Sequence, residues 1–108
     1  EKGPIPGSGA ITGFLKVATQ VEPIIIGKPS IVIMESALDY LNAKFPDSHF
    51  TKEDIAMVGD NYQTDIQAGI QYGMDTLMVL TGFSTREDLE KVEEQPTHLV
   101  KDLSEWTI

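Results

Sequence analysis

Four short apolar runs, bounded by glycine, proline or polar residues, most constrain how this chain can fold. They lie at residues 24–26, 55–58, 76–80 and 98–100, and the last is the weakest. The runs are continuous rather than alternating, which is typical of strands covered by helices on both faces of a sheet. In the segments between these runs, apolar residues recur at the spacing of a helix.

The helical segments show apolar periodicity and capping signals. Ile11, Phe14, Leu15 and Ala18 recur at i, i+3, i+4 and i+7, which predicts an amphipathic helix. Three more helices are predicted downstream, the second of them ending at Gly73. The predicted N-caps are Ser8, Ser30, Thr64 and either Ser84 or Thr85.

The alternation of helices and strands predicts an α/β layered fold with a mainly parallel sheet. In such folds, ligands bind beyond the carboxyl ends of the strands. The residues directly after each strand are therefore the functional candidates. These are residues 27–28, 59–61 and 81–82.

Composition excludes several functional classes. The 108 residues include 17 acidic and 8 basic side chains, giving a net charge of −9, which argues against binding to a nucleic-acid backbone. The absence of cysteine excludes disulfides, zinc–cysteine sites and thiol nucleophiles. The apolar runs are far too short to span a membrane.

Asp60 and Asp65 form the most informative pair of candidates. Asp60 follows a strand and Asp65 begins the next helix, so the two carboxylates converge on one loop. Such hard oxygen ligands suit Mg²⁺, which commonly uses one or two carboxylates, water and substrate phosphate. The alternative is that Asp60 is only a turn residue and Asp65 a favourable charge in a first helical turn.

Lys28 is the corresponding cationic candidate. It follows the first apolar run, between Gly27 and Pro29, and precedes a helix. Its ammonium group can face the carboxylates or a phosphate group over the strand ends. A solvated loop lysine is the alternative.

Taken together, three segments resemble the haloacid dehalogenase-like (HAD) phosphatases, and within them the NagD/4-nitrophenylphosphatase subfamily. They are Ile-Gly-Lys-Pro-Ser at 26–30, Met-Val-Gly-Asp-Asn-Tyr-x-Thr-Asp-Ile at 57–66 and Ala-Gly-Ile-x-x-Gly-Met-Asp-Thr at 68–76. The resemblance covers essentially the whole chain. It implies a three-layer, Rossmann-like core with a mainly parallel sheet.

The resemblance also implies a reaction and roles for four residues. HAD phosphatases hydrolyse phosphomonoesters, here sugar-phosphate or nucleotide-type metabolites, through an aspartyl-phosphate with Mg²⁺ as cofactor. Asp60 matches the Mg²⁺ ligand of the last catalytic motif, and Asp65 matches its second acid, which orients the metal shell or the lysine. Lys28 matches the lysine that neutralises the nucleophile and the phosphoryl group. Asn61 is expected to contact metal-bound water or substrate.

The departure from the family pattern concerns the nucleophile. No Asp-x-Asp occurs in the sequence, and its first residue is Glu1 rather than methionine. Residues 1–108 are therefore expected to be the C-terminal portion of a HAD core domain, lacking the N-terminal catalytic strand and the cap, and to be inactive alone. The missing strands would come from the N-terminal half of the same protein or from a second chain; the alternative is that the fragment packs in a non-native way. A homo-oligomer is also an expected partner state, and the expected location is the cytoplasm.

Two other functions remain open at this point. A receiver-like signalling module also combines Mg²⁺, carboxylates and a lysine on an α/β sheet, but there the acidic cluster precedes the lysine, whereas Lys28 precedes Asp60. The other alternative is a non-catalytic acidic α/β scaffold.

Overall fold

A computed structural model describes residues 5–107 of the chain and contains helices, strands and short helical turns. The helices are α1 (Ser8–Thr19), α2 (Val32–Lys44), α3 (Gln67–Tyr72) and α4 (Arg86–Leu89). The strands are β1 (Ala56–Gly59), β2 (Asp75–Val79) and β3 (His98–Val100). Single 3₁₀ turns lie at Lys52–Asp54 and Leu103–Glu105, and a wider π-helical turn at Tyr62–Ile66 leads into α3.

The three strands form a parallel sheet in the order β1-β2-β3. The central strand β2 is buried from Thr76 to Val79, as its continuous apolar sequence predicts. The core lies against this strand and brings together Tyr62, Ile66, Met78 and Leu89. The predicted α/β class and the parallel sheet are thus confirmed.

Two of the predicted helix boundaries are confirmed. Gly73 ends α3 with a φ of 80°, in the left-handed region that favours glycine. Thr85 caps α4 in a reciprocal capping box with Asp88. The backbone N–H and hydroxyl of Thr85 both donate to Asp88, and these bonds hold the pKa of that carboxyl below its usual value.

The other predicted caps are wrong or only partly correct. Gly7, not Ser8, is the N-cap of α1, and no side chain caps that helix. Asn61 replaces Thr64 as the cap of the Tyr62–Ile66 turn, because the helical segment begins earlier than the periodicity indicates. Ser30 lies one residue before the N-cap of α2, although its hydroxyl accepts a hydrogen bond from the Val32 N–H at 3.3 Å.

The predicted strand at residues 24–26 does not form. Ile24, Ile25 and Ile26 are 85%, 50% and 60% exposed and pair with no strand among residues 5–107. A strand needs a neighbour to satisfy its backbone groups, and no such neighbour lies beside this segment in the described part of the chain. The apolar stripe of α1 is equally uncovered, since that helix has no buried residue.

The uncovered N-terminal part makes the molecule less compact than a closed domain. The radius of gyration is 16.4 Å, whereas about 13 Å is expected for a compact domain of this length. An open groove of about 610 Å³ lies between α1 and residues 21–28, with Leu15, Val21 and Ile25 among its walls. The sequence therefore provides an apolar face that residues 5–107 do not bury.

None of the helices between residues 5 and 107 is both long enough and apolar enough to cross a membrane.

Candidate active site

Asp60 occupies the turn directly after β1, at the carboxyl edge of the sheet. Its Oδ2 accepts a hydrogen bond from the Phe83 N–H at 2.7 Å, and its backbone carbonyl accepts one from the Ser84 N–H at 3.0 Å. The loop that follows β2 therefore holds Asp60 at two points. Gly82 allows this close approach, because a Cβ at that position would collide with the Asp60 carboxylate.

Asp65 lies in the wider helical turn and is only 7% exposed. Its Oδ1 accepts a hydrogen bond from Nζ of Lys28 at 2.5 Å, and its Oδ2 accepts one from the Asn61 N–H at 3.3 Å. A Cβ on Gly59 would overlap the Asp65 side chain, so the glycine before Asp60 makes room for the second carboxylate. Both oxygens of Asp65 are thus bonded to donors of the chain.

Lys28 lies 37 residues before Asp65 in the sequence and contacts it at this edge of the sheet. Its side chain is 41% exposed, whereas that of Asp65 is 10% exposed. The ammonium group is therefore held by a buried carboxylate, while about two fifths of the Lys28 side chain remains open to solvent. This is the arrangement needed to bind an incoming anion at the strand ends.

Asn61 is used locally as a cap. Its Oδ1 accepts a hydrogen bond from the Gln63 N–H at 3.0 Å, and its carbonyl accepts bonds from the N–H groups of Asp65 and Ile66 at 2.9 and 3.4 Å. The structure thus brings all four predicted site residues to one edge of the sheet. Their predicted chemical roles stay predictions.

The donor set fits a hard divalent cation at Asp60. One oxygen of that carboxylate accepts the Phe83 N–H, while the other accepts no hydrogen bond from residues 5–107. No three histidine or acidic side chains in this described range cluster closely enough to hold a metal ion. Because Mg²⁺ usually takes one or two carboxylates and completes its shell with water and phosphate, Asp60 can supply part of such a site.

Ser84 is the residue at this site that sequence reasoning missed. Its side chain is buried, and its Oγ accepts a hydrogen bond from the Tyr62 N–H at 3.0 Å. The available signal was the pair of adjacent hydroxyls at 84 and 85, of which only one can cap α4. Thr85 takes that role, which leaves Ser84 for the neighbouring turn.

Known proteins with similar sequences cover almost the whole of this chain. A family model described as HAD-hydrolase-like matches residues 25–106. A 5′-nucleotidase, YutF of Bacillus subtilis, is 46% identical over 106 residues, which are 98% of this chain and 39% of that protein. An acid sugar phosphatase of Staphylococcus haemolyticus is 48% identical over 104 residues, covering 96% of this chain and 37% of the relative.

Solved structures show the same relationship. A thermostable NPPase from Geobacillus stearothermophilus superposes with a TM-score of 0.80 at 44% identity, covering 95% of this chain and 37% of that one. NagD from E. coli K-12 gives a TM-score of 0.82 at 30% identity, covering 99% and 40% respectively. The chain thus spans about two fifths of the length of the relatives that it matches.

Proposed function

This chain belongs to the HAD-hydrolase-like family, and from that premise we propose that it is the C-terminal portion of the core of a Mg²⁺-dependent phosphomonoesterase. The observation that supports this most strongly is the ion pair between Lys28 and the buried Asp65 beside Asp60 at the carboxyl edge of the sheet. Family membership also argues against the receiver-like alternative.

Each of the four site residues would have a different role in binding a phosphate ester. The oxygen of Asp60 that is not bonded to Phe83 would hold the metal, and Mg²⁺ when bound would offset negative charge on the phosphoryl group. Lys28 would bind a phosphoryl oxygen through its ammonium group. Asp65 would act chiefly by orienting Lys28, since both of its oxygens are already bonded, and Asn61 would add a polar contact.

The proposed substrates are small sugar-phosphate or nucleotide-type monoesters. One relative is named a 5′-nucleotidase and another an acid sugar phosphatase. A phosphate monoester is what these two names have in common, and Lys28 with a metal at Asp60 would recognise that group. We place this activity in the cytoplasm, in keeping with the sequence-based expectation.

The nucleophile and the missing strands would come from the rest of the same protein. The sequence contains no Asp-x-Asp, and the relatives are more than twice as long as the matched segment. Ile24–Ile26 and the half-exposed Val58 at the outer strand of the sheet are apolar surfaces that such strands would cover.

The proposal is tested by comparing the full-length protein with residues 1–108. We expect the full-length protein to hydrolyse members of a panel of sugar and nucleoside monophosphates only when Mg²⁺ is present. The chain alone should be inactive, and activity should return when the N-terminal half is added. A full-length protein that is folded but inactive on every monoester would favour the scaffold alternative.

The uncovered apolar surface gives a separate prediction about association. Residues 1–108 alone are expected to form oligomers or a polydisperse population, because exposed strand segments and apolar helix faces pair with other chains. Size-exclusion chromatography with light scattering measures this directly. A 1:1 complex should replace the oligomers when the N-terminal half is added, whereas a compact, monodisperse monomer of the chain alone would contradict the prediction.

A further inference from the structure

The loop formed by residues 82–84 donates two backbone hydrogen bonds to Asp60, the candidate metal ligand. We propose that Ser84 is a positioning residue that fixes the orientation of Asp60 and so sets the affinity of the site for a divalent cation. This inference rests on the proposed function, because it assumes that Asp60 binds the metal.

Three hydrogen bonds join this loop to the turn after β1. The Phe83 N–H donates to the Asp60 carboxylate at 2.7 Å, and the Ser84 N–H donates to the Asp60 carbonyl at 3.0 Å. The Ser84 hydroxyl accepts from the Tyr62 N–H at 3.0 Å. The Asp60–Tyr62 segment is thus held at its side chain, at its first carbonyl and at an N–H two residues later.

The loop contributes two backbone N–H groups and one side-chain group, the Ser84 hydroxyl, to these three bonds. Ser84 as a whole residue is 6% exposed, so water has little access to replace its hydroxyl. Its donor, Tyr62, is the first residue of the wider helical turn, where a backbone N–H has no partner within the helix. The Tyr62 ring itself is buried in the core, which anchors this end of the bond.

A capping role does not account for Ser84. Thr85 caps α4 through its own hydroxyl and its reciprocal bond with Asp88. Ser84 instead points its hydroxyl to the turn that carries Asp60, on a different element of the fold. The two adjacent hydroxyls therefore have separate tasks, which provides a matched control.

The consequence concerns the two oxygens of Asp60. With Oδ2 bonded to Phe83 and the loop held against the carboxylate at Gly82, the side chain keeps one orientation and offers its other oxygen. Without the Ser84 hydroxyl, the Tyr62 N–H loses its acceptor and two hydrogen bonds instead of three join the loop to the turn, which loosens the hold on Asp60. Groups that orient a metal ligand typically contribute about 10- to 100-fold to metal affinity.

The experiment measures the Mg²⁺ dissociation constant of the full-length protein by isothermal titration calorimetry. It also measures the Mg²⁺ concentration that gives half-maximal activity. Ser84→Ala is expected to raise both values about tenfold, at a temperature where circular dichroism shows the variant folded. Ser84→Thr should restore them because it returns the hydroxyl. Thr85→Ala should leave both unchanged while lowering the melting temperature.

The possible results separate this inference from the proposed function. Unchanged Mg²⁺ binding in Ser84→Ala, in a protein whose wild type binds Mg²⁺, overturns the inference and leaves the phosphatase proposal intact. A wild type that neither binds Mg²⁺ nor hydrolyses monoesters overturns both. If Ser84→Ala does not fold, Ser84→Cys replaces it as a weak acceptor of similar shape; a higher Mg²⁺ dissociation constant then supports the inference and an unchanged one overturns it.

Discussion

Asp60→Asn in the full-length protein is expected to lower Mg²⁺-dependent phosphatase turnover by about a thousandfold, since metal stabilisation of the transition state amounts to several kcal/mol. Asparagine keeps the size of the side chain and an oxygen that can still accept the Phe83 N–H. The turn after β1 should therefore keep its shape. What is lost is the negative charge that attracts the cation.

The measurement is initial rate against Mg²⁺ concentration, and Asp75→Asn is the matched control. Asp75 begins β2 and pairs in register with Ala56, so it is exposed at the amino edge of the same sheet, opposite the candidate site. Its variant should keep wild-type turnover, and circular dichroism should show both variants folded. Wild-type turnover in Asp60→Asn would exclude Asp60 as the metal ligand.

The features that could be predicted from the sequence are those set by local chemistry. The continuous apolar run before Gly59 and the one around Met78 became adjacent parallel strands, and Gly73 ended its helix with a positive φ. The order of a strand, a glycine and Asp60 placed a carboxylate at the sheet edge because a parallel strand ends there. These outcomes depend on residues close together in the sequence.

Apart from the misplaced caps at Ser8 and Thr64, the errors lie where the structure depends on partners far away in the chain or outside it. The run at 24–26 has the composition of a buried strand, but composition cannot supply the neighbouring strand that would pair with it. Likewise, the periodicity of Ile11 and Phe14 correctly indicates a helix, yet both side chains are exposed in α1. An amphipathic pattern identifies the face that can be buried, not the surface that buries it.

The site shows the same division between local and distant information. Lys28 and Asp65 could be proposed as partners, but their 2.5 Å contact depends on how residues 21–28 return to the sheet. Ser84 could be recognised only as a candidate cap, because its partner Tyr62 lies 22 residues away. Side chains that act on a distant turn leave no periodic signal in their own segment.

Lys28→Met in the full-length protein is expected to lower kcat/KM by about 10²- to 10³-fold, the usual effect of removing one donor that stabilises charge in a transition state. The effect should be large because a phosphate dianion approaching this edge also meets the carboxylates of Asp60 and Asp65, in a 108-residue segment whose own net charge is −9. Methionine retains the length and apolar stem of lysine. The loss would therefore be that of the ammonium group.

Lys91→Met is the control for charge removal at a lysine paired with an acid. Its ammonium lies 3.6 Å from Asp88, and its side chain is 73% exposed. Such a surface pair contributes little to stability, and phosphatase activity should not change in this variant. Equal losses in Lys28→Met and Lys91→Met would mean that general charge, rather than the position of Lys28, governs the rate.

The double variant Lys28→Met/Asp65→Asn tests how Asp65 acts. If Asp65 works by orienting Lys28 through their ion pair, removing both groups should cost little more than removing Lys28 alone, because residues that act as a unit are non-additive. Asp65→Asn alone keeps a side chain of the same size against Gly59, where an added Cβ would overlap it. Full additivity of the two losses would show instead that Asp65 contributes independently, as a direct metal ligand would.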